Sequence, residues 1–215
     1  MGFLIPRFYA ILDAQQAGER SLPGLCDALL AAGVRLIQYR DKQAGSRDLF
    51  EVSRDLAGRV QRAGGVFIVN DRADVALAAG ADGVHLGQED LPVEMARRVL
   101  GPGKWLGYST HRQEQVAEAD RSSADYIAFG PVFATRSKAR PDPLVGLEGL
   151  RQARRATRKP LVAIGGITLV NAREVIEAGA DSVAVIADLL QAPDVAARAR
   201  EFLTTLGEGP TGARD

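Results

Sequence analysis

The chain alternates short apolar runs with longer segments in which apolar and charged residues recur at helical spacing. Eight of the runs have the near-continuous apolar character of strands that are covered on both faces, as in a parallel sheet. Since parallel strands need long crossover connections, this order predicts a series of strand and helix units. The runs are FYAIL from Phe8, LIQY from Leu36, FIV from Phe67, GVHL from Gly83, WLGY from Trp105, YIAF from Tyr126, LVAI from Leu161 and SVAV from Ser182.

The segments between the runs carry the signals of helices that stop at small residues. Leu49, Leu56 and Val60, for example, recur at helical spacing between charged neighbours. A small-residue stop then leads directly into a strand at several junctions, and each reads as a helix that ends and turns tightly. These junctions are AAGVRLIQY from Ala31, AAGADGVHL from Ala78 and EAGADSVAV from Glu177, with SSADYIAF from Ser122 as a weaker fourth.

Eight such units in about 200 residues fit a compact α/β fold, a single (β/α)₈ TIM barrel. The runner-up is a doubly wound open sheet, which generally uses fewer strands and needs a phosphate loop after its first strand. No such loop follows the first apolar run. We therefore expect residues 1–206 to form one barrel domain, and the glycine-rich residues 207–215 to form a flexible tail.

Composition and charge narrow the class of protein. The 215 residues include 27 acidic and 27 basic side chains, and 46% of them are apolar, as in an ordinary globular domain. Zero net charge gives no broad electrostatic argument for binding nucleic acid or an anionic membrane. No apolar run approaches the roughly 20 residues that span a bilayer, and the short apolar start lacks the features of a signal peptide.

We therefore expect a cytoplasmic protein that binds neither nucleic acid nor membrane. The single cysteine, Cys26, stands in a leucine-rich stretch and is expected on a buried helix face. The sequence leaves the oligomeric state, including a homo-oligomer, open.

Polar side chains gather after the apolar runs, where the active site of a barrel lies. Period-two geometry puts Gln38, Arg40 and Lys42 on one face after the second run, if the extended chain continues that far. Arg40 and Lys42 could instead be solvated surface charges, but their place directly after an apolar strand favours the mouth of the barrel. Further polar residues follow the third to sixth runs, at Asn70-Asp71, Gly87-Gln88-Glu89-Asp90, Ser109-Thr110-His111 and Thr135-Arg136-Ser137-Lys138.

Asp71 and Asp90 could each simply cap the helix that follows. Two carboxylates on neighbouring strands, beside Arg40, Lys42 and Lys138, fit Mg²⁺ better, since Mg²⁺ takes one or two carboxylates together with phosphate oxygens. We therefore predict one Mg²⁺ per subunit, held by Asp71 and Asp90. Zinc is not expected, because no second histidine or cysteine stands at metal-ligand spacing.

The sequence predicts different roles for the two histidines. His85 lies inside the fourth run, where a satisfied interior histidine is the more frequent finding than a ligand or a base. His111 could begin a helix as a structural residue, or act as an acid or base near neutral pH.

A second candidate anion site follows the seventh and eighth runs. The stretch LVAIGGIT places Gly165 and Gly166 at a strand end, where a missing side chain lets backbone N–H groups approach an anion. Phosphate-binding barrels often hold phosphate between the loops after strands seven and eight. Two anion sites predict two phosphorylated substrates, and the absence of a redox motif or a nucleophile elbow favours a transfer in which diphosphate leaves.

At these residues the chain resembles the thiamine-phosphate synthase family, from about Phe8 to Leu190. The resemblance implies a (β/α)₈ barrel transferase of thiamine biosynthesis. It would join 4-amino-2-methyl-5-(diphosphooxymethyl)pyrimidine to 4-methyl-5-(2-phosphooxyethyl)thiazole and release diphosphate. The stretches that carry the resemblance are IQYRDK, IVNDRADVALAAGADGVHLGQEDLP, GYSTH, ADYIAFGPVFATRSK, VAIGGIT and GADSVAVIADL.

The resemblance also implies roles for individual residues. Asp71 and Asp90 would bind Mg²⁺. Arg40, Lys42 and Lys138 would stabilise the departing diphosphate in a dissociative step without a protein nucleophile, and Ser109 completes this catalytic group. The residues implied for the pyrimidine diphosphate are Gln38, Tyr39, Arg40, Asp41, Lys42, Asn70, Ser109 and Lys138. Those implied for the thiazole phosphate are Thr135, Arg136, Ser137, Gly166, Ile186 and Ala187. The family usually has threonine where Ser137 stands and serine where Ala187 stands.

Two alternatives stay open at this point. A related thiazole tautomerase would use His111 as acid or base, but its members tend to lack the Asn70-Asp71 and Gly87-Gln88-Glu89-Asp90 motifs that this chain has. A non-catalytic barrel that binds thiamine precursors would not need the metal carboxylates.

Overall fold

The computed structural model describes residues 4–135 and 142–208, and they form a closed barrel of parallel strands. Each strand pairs with the next along the chain, and β8 pairs with β1. The predicted TIM barrel is therefore confirmed, and each apolar run forms a strand. The strands are β1 (Phe8–Asp13), β2 (Leu36–Arg40), β3 (Val66–Asn70), β4 (Gly83–Leu86), β5 (Trp105–Thr110), β6 (Tyr126–Phe129), β7 (Leu161–Ile164) and β8 (Ser182–Val185).

Helices follow the strands and cover the outside of the barrel. The longest, α3, buries Leu49, Leu56 and Val60, the residues whose helical spacing predicts it. The helices are α1 (Ala14–Ala17), α2 (Leu22–Ala32), α3 (Ser46–Arg62), α4 (Ala73–Ala78), α5 (Val93–Leu100), α6 (Gln113–Arg121), α7 (Gly146–Ala156), α8 (Ala172–Glu177), α9 (Ala187–Leu190) and α10 (Val195–Thr205). None of these helices is long and apolar enough to span a bilayer.

Alternation along the strands divides the buried side chains into two layers. In β1, Phe8 and Ala10 face the helices, whereas Tyr9 and Ile11 face the inside of the barrel. The outer layer between strands and helices is the larger and includes Cys26 on α2, as predicted. Burial raises the pKa of the Cys26 thiol to about 12, so it remains a neutral side chain.

Carboxylates close the amino ends of alternate strands, on the face of the barrel opposite the predicted mouth. Each accepts a hydrogen bond from a backbone N–H at the start of an odd-numbered strand, and three of them precede the next strand in the repeated junctions. Three of them are the aspartates of the stretches GADGVHL, SADY and GADS. Asp82 accepts from Phe67 N at 2.8 Å, Asp125 from Leu106 N at 2.8 Å and Asp181 from Leu161 N at 2.8 Å, while Glu208 accepts from Phe8 N at 3.2 Å. We call these four residues the amino-end carboxylates.

The fourth member of this set lies in the segment predicted as a flexible tail. Glu208 also accepts from Arg7 N at 2.5 Å, so Gly207 and Glu208 lie against the start of β1. Residues 209–215 are outside the described part of the chain, and the remainder of the tail stays a prediction.

Candidate active site

A cavity of about 1140 Å³ opens at the carboxyl ends of the strands. All eight strands contribute to its wall, because inward-facing side chains near the end of each strand point into the same space. The structure thus brings most of the predicted site residues together. Those that line the cavity are Gln38, Arg40, Lys42, Asn70, Asp71, Asp90, Ser109, Thr135, Gly166, Ile186 and Ala187.

Two predicted residues lie outside this lining. Tyr39 faces the outer layer of the barrel, and its hydroxyl donates to Asp41 Oδ2 at 3.3 Å. Asp41 also accepts from the backbone N–H groups of Gln43 and Ala44 at 2.9 and 3.1 Å, which shapes the turn after β2. Contact of Tyr39 or Asp41 with substrate stays a prediction.

Three further predicted residues, Arg136, Ser137 and Lys138, lie in the stretch 136–141, outside the described residues. Their implied roles stay predictions. Thr135, at the edge of this stretch, lines the cavity.

Both described cations of the predicted mouth are held by carboxylates. Arg40 pairs with Asp13, and Lys42 pairs with Asp71. Asp13 is a residue that the sequence reasoning missed, although its place directly after the first apolar run was a usable signal. Asp13 is almost fully buried and also accepts from Gln16 N at 3.0 Å, so it fixes the Arg40 guanidinium to the end of β1.

Asp71 and Asp90 form a second cluster at the ends of β3 and β4. Asp71 has a φ of 64°, and its backbone N–H donates to His85 O at 2.8 Å. Asp90 Oδ2 accepts from Gly87 N at 2.6 Å. Neither aspartate caps a helix, since the N-cap residues of α4 and α5 are Arg72 and Pro92 and neither helix has a side-chain cap bond, so the capping alternative is wrong.

Asp71 and Asp90 lie close enough for their two negative charges to repel each other. Burial raises the pKa of Asp71, and the adjacent Asp90 adds to the rise, while the Lys42 ammonium opposes it. The described residues contain no group of three or more side chains that could hold a metal ion by themselves. Two carboxylates do fit Mg²⁺, because Mg²⁺ usually keeps waters and takes its remaining ligands from substrate phosphates.

The glycine pair after β7 lies against the loop after β6. Gly165 and Gly166 have φ of 98° and 64°, and a side chain at Gly166 would place its Cβ 2.5 Å from Ala134 O. This close approach brings the two loops together at the edge of the cavity. Asn171 holds the loop after β7 by accepting from Thr168 N at 2.8 Å and donating to Gly166 O at 3.1 Å.

A chain of hydrogen bonds crosses the barrel interior below the cavity. Gln38 Nε2 donates to Tyr9 OH at 2.7 Å, and the Tyr9 and Tyr126 hydroxyls lie 2.9 Å apart. His85 Nδ1 lies 3.0 Å from Tyr126 OH, and His85 Nε2 lies 2.8 Å from Ser109 Oγ. The interior, hydrogen-bonded histidine predicted at position 85 is confirmed.

Burial raises the pKa of both Tyr9 and Tyr126, so both remain neutral phenols that can donate and accept. The sequence reasoning missed their part in the site, because both stand inside apolar runs. Their inward-facing positions on β1 and β6 were the available signal.

His111 lies at the cavity wall between two loops. Its Nδ1 donates to Gly130 O at 2.6 Å, and its Nε2 lies 3.5 Å from Asp142 Oδ2. The histidine therefore connects the end of β5 with the loop after β6 and with the segment that leads into α7. Both of its expected roles, structural and acid or base, are compatible with this position.

Comparisons with known proteins agree on one family. Residues 8–189 match the family model described as thiamine monophosphate synthase. The thiamine-phosphate synthase of Koribacter versatilis is 53% identical over 209 residues, which cover 95% of this chain and 98% of that protein. The thiamine-phosphate synthase of Chloroflexus aurantiacus is 45% identical over 196 residues, covering 91% and 90%.

A solved structure shows the same similarity in three dimensions. The thiamine phosphate pyrophosphorylase from Pyrococcus furiosus superposes with a TM-score of 0.85 at 37% identity. The match covers 94% of this chain and 96% of that structure.

Proposed function

The chain belongs to the thiamine monophosphate synthase family, and on that premise we propose the reaction that its cavity performs. The protein joins 4-amino-2-methyl-5-(diphosphooxymethyl)pyrimidine to 4-methyl-5-(2-phosphooxyethyl)thiazole, and it releases diphosphate. The observation that carries this proposal is that one cavity is lined by two separate regions whose chemistry suits an anion. Arg40, Lys42 and the aspartate cluster lie at one side, and the glycine loop after β7 lies at the other.

The pyrimidine diphosphate would occupy the side formed by β2 to β5. Arg40 and Lys42 supply positive charge for the diphosphate, while Gln38, Asn70 and Ser109 supply further hydrogen bonds to the pyrimidine diphosphate. Asp13 and Asp71 restrain the two cations before substrate arrives, which reduces the cost of ordering them.

Asp71 and Asp90 would hold one Mg²⁺ at this side of the cavity. When bound, the ion neutralises charge on the diphosphate, which then leaves as a weaker base. The two carboxylates lie next to each other in a partly buried site, and a divalent cation would offset their mutual repulsion.

The thiazole phosphate would occupy the opposite side, between the loops after β7 and β8. Gly166 lets the backbone approach an anion without a side chain in the way, and Ile186 and Ala187 form the adjoining wall. Thr135 lies where the loop after β6 meets the same region.

The reaction needs positioning and preorganised charge more than a protein nucleophile. As the bond from the pyrimidine methylene to the diphosphate oxygen breaks, the electron pair leaves with diphosphate, which Arg40 and Lys42 stabilise. The thiazole nitrogen then supplies the electron pair for the new carbon–nitrogen bond. The cavity holds the two reactants at opposite sides of one space, which favours their encounter in the reactive geometry.

A tautomerase acting on the thiazole precursor is the second candidate, because His111 lines the same cavity. Its Nδ1 is bonded to Gly130 O, which leaves only Nε2, beside Asp142, for acid or base chemistry. The paired aspartates at β3 and β4 have no part in such a reaction, so we favour the synthase.

The test incubates the purified protein with both substrates and Mg²⁺ and follows thiamine phosphate by chromatography. We expect thiamine phosphate, formed together with an equal amount of diphosphate. Isomerisation of the thiazole precursor alone, without thiamine phosphate, would contradict the proposal and favour the tautomerase. Binding of a single precursor without any reaction would favour a non-catalytic barrel.

A further inference from the structure

Tyr126 lies at the centre of the barrel and contacts the active site only through other side chains. It is 1% exposed, and it is not part of the cavity lining. Its hydroxyl nevertheless bonds to Tyr9 on one side and to His85 on the other, and both of those residues do line the cavity. Through them, Tyr126 connects Gln38 with Ser109, two residues that the proposed function places against the pyrimidine diphosphate.

A count of protons gives this chain of hydrogen bonds one direction. Gln38 Nε2 donates to Tyr9 OH, so the Tyr9 proton needs an acceptor, and among the described residues only Tyr126 OH is within reach. Tyr126 therefore accepts from Tyr9 and donates its own proton to His85 Nδ1. A neutral imidazole that accepts at Nδ1 carries its proton at Nε2, so His85 donates to Ser109 Oγ.

The reverse direction leaves a buried donor without a partner. If His85 donated from Nδ1 to Tyr126, Tyr126 would donate to Tyr9, and Tyr9 would accept two bonds while its own proton had no acceptor. An unsatisfied buried donor is costly, so the first direction is the stable one. In that direction the Ser109 hydroxyl proton is left to point into the cavity as a donor.

We propose that Tyr126 is a positioning residue that holds His85 as the Nε2–H tautomer and thereby makes the Ser109 hydroxyl a hydrogen-bond donor to the substrate. This inference rests on the proposed function, since a diphosphate offers only acceptor oxygens and needs donors around it. At the other end of this series of hydrogen bonds, the bond to Tyr9 fixes the amide of Gln38 with its nitrogen toward Tyr9.

A glycine beside Tyr126 provides the room for its contact with His85. A Cβ at Gly107 would lie 2.1 Å from Tyr126 Cζ and 2.4 Å from His85 Nδ1. Any side chain at position 107 would therefore occupy the space in which Tyr126 and His85 meet. The central position of β5 has no side chain because the bond between these two residues needs the room.

The first test is Tyr126→Phe in the full chain, with binding of the pyrimidine diphosphate measured by calorimetry. Without the phenol proton, His85 is free to take the other tautomer, and Ser109 then donates to His85 instead of to the substrate. We expect Kd to rise about tenfold, as for the loss of one hydrogen bond to a charged group. Thr204→Val is the control, because it removes an exposed hydroxyl on α10 that donates to Arg200 O and lies outside the cavity lining, and it should leave Kd unchanged.

A double-mutant cycle separates positioning from a general loss of packing. Tyr126 acts through Ser109 in this account, so Tyr126→Phe should have little further effect on Kd in a Ser109→Ala background. Equal effects of Tyr126→Phe in both backgrounds would overturn the proposal.

The second test reads the tautomer directly and needs neither turnover nor a folded variant of Tyr126. The chain has only two histidines, so nitrogen NMR of ¹⁵N-histidine-labelled protein gives a spectrum of two rings, assigned with His111→Gln. We expect wild-type His85 to be protonated at Nε2 alone. Protonation at Nδ1 would overturn the proposal, whatever the activity, whereas the expected tautomer in a protein that forms no thiamine phosphate would contradict the proposed function instead.

Discussion

The two described cations at the mouth of the cavity, Arg40 and Lys42, each form an ion pair with a carboxylate. Arg40 is bonded to the buried Asp13, and Lys42 to Asp71. Asp90, by contrast, accepts from the backbone N–H of Gly87, and among the described residues it forms no ion pair with a lysine or arginine. A bound cation would therefore supply the positive charge that the Asp90 carboxylate lacks among the described residues.

Asp90→Asn tests this role at the level of one residue. The substitution keeps the shape of the side chain and removes its charge, so we expect the fold to persist while kcat for thiamine phosphate falls on the order of 10²-fold or more. The rate at several Mg²⁺ concentrations measures the effect. Asp74→Asn removes a charge from an exposed side chain of α4 and serves as the control. Turnover like that of wild type in Asp90→Asn would refute the metal assignment.

Much of this residue-scale picture follows from period-two alternation within a strand, but not all of it. The alternation predicts that Gln38, Arg40 and Lys42 share a face, since they lie in one stretch of chain. The Tyr9–Tyr126 bond joins residues 117 positions apart, and no local pattern pairs them. The same limit hides the partner of Arg40, because Asp13 lies 27 positions earlier on β1 and only the pairing of β1 with β2 brings the two side chains together.

At the scale of elements, the glycine loop after β7 is shaped by its contact with the loop after β6. Gly166 combines a left-handed backbone with close contacts to Phe133 and Ala134, so it is restricted in two separate ways. The sequence predicted a glycine loop at a strand end, whereas the neighbouring loop that it touches became known only from the structure.

Gly166→Ala should weaken both the fold and the thiazole site. The left-handed φ costs an alanine about 1–2 kcal/mol, and the clash with Ala134 O adds to it by pushing the two loops apart. We expect KM for the thiazole phosphate to rise about tenfold or more, with a smaller change for the pyrimidine diphosphate.

Gly80→Ala is a matched control for that substitution. Gly80 also has a left-handed φ, but a Cβ there would meet nothing within 4 Å. Its loss of unfolding free energy, measured in urea, should be about 1 kcal/mol, with KM for both substrates unchanged. A Gly166→Ala variant that behaves in every respect like Gly80→Ala would show that the loop contact is unimportant for the site.

Across the whole molecule, the two ends of the barrel have separate tasks. The carboxyl ends of the strands carry the charged and glycine-containing site, and the amino ends carry the four amino-end carboxylates. Both the number of strands and their parallel order were predictable, because each apolar run is short, continuous and followed by a helix. Three of the amino-end carboxylates stand in the repeated junctions, but no local pattern shows which backbone N–H groups of a neighbouring strand they accept from.

Asp125→Ala tests this division. Asp125 accepts from Leu106 N and pairs with Arg97, so its removal leaves a backbone donor and a partly buried cation without their partner. We expect the free energy of unfolding to fall by about 2–3 kcal/mol in urea, with KM for both substrates unchanged. Glu177→Ala, which removes an exposed pair with Arg173, should cost less than about 1 kcal/mol. A large change in KM for Asp125→Ala would contradict the separation of stability from function.

The central claim is that charge at the carboxyl ends of β2 to β4, completed by Mg²⁺, drives the departure of diphosphate. The most direct measurement is the initial rate of thiamine phosphate formation after removal of metal with EDTA and again after addition of Mg²⁺. We expect no product in EDTA and full recovery with Mg²⁺, with one diphosphate released for each thiamine phosphate. An undiminished rate in EDTA would contradict the account.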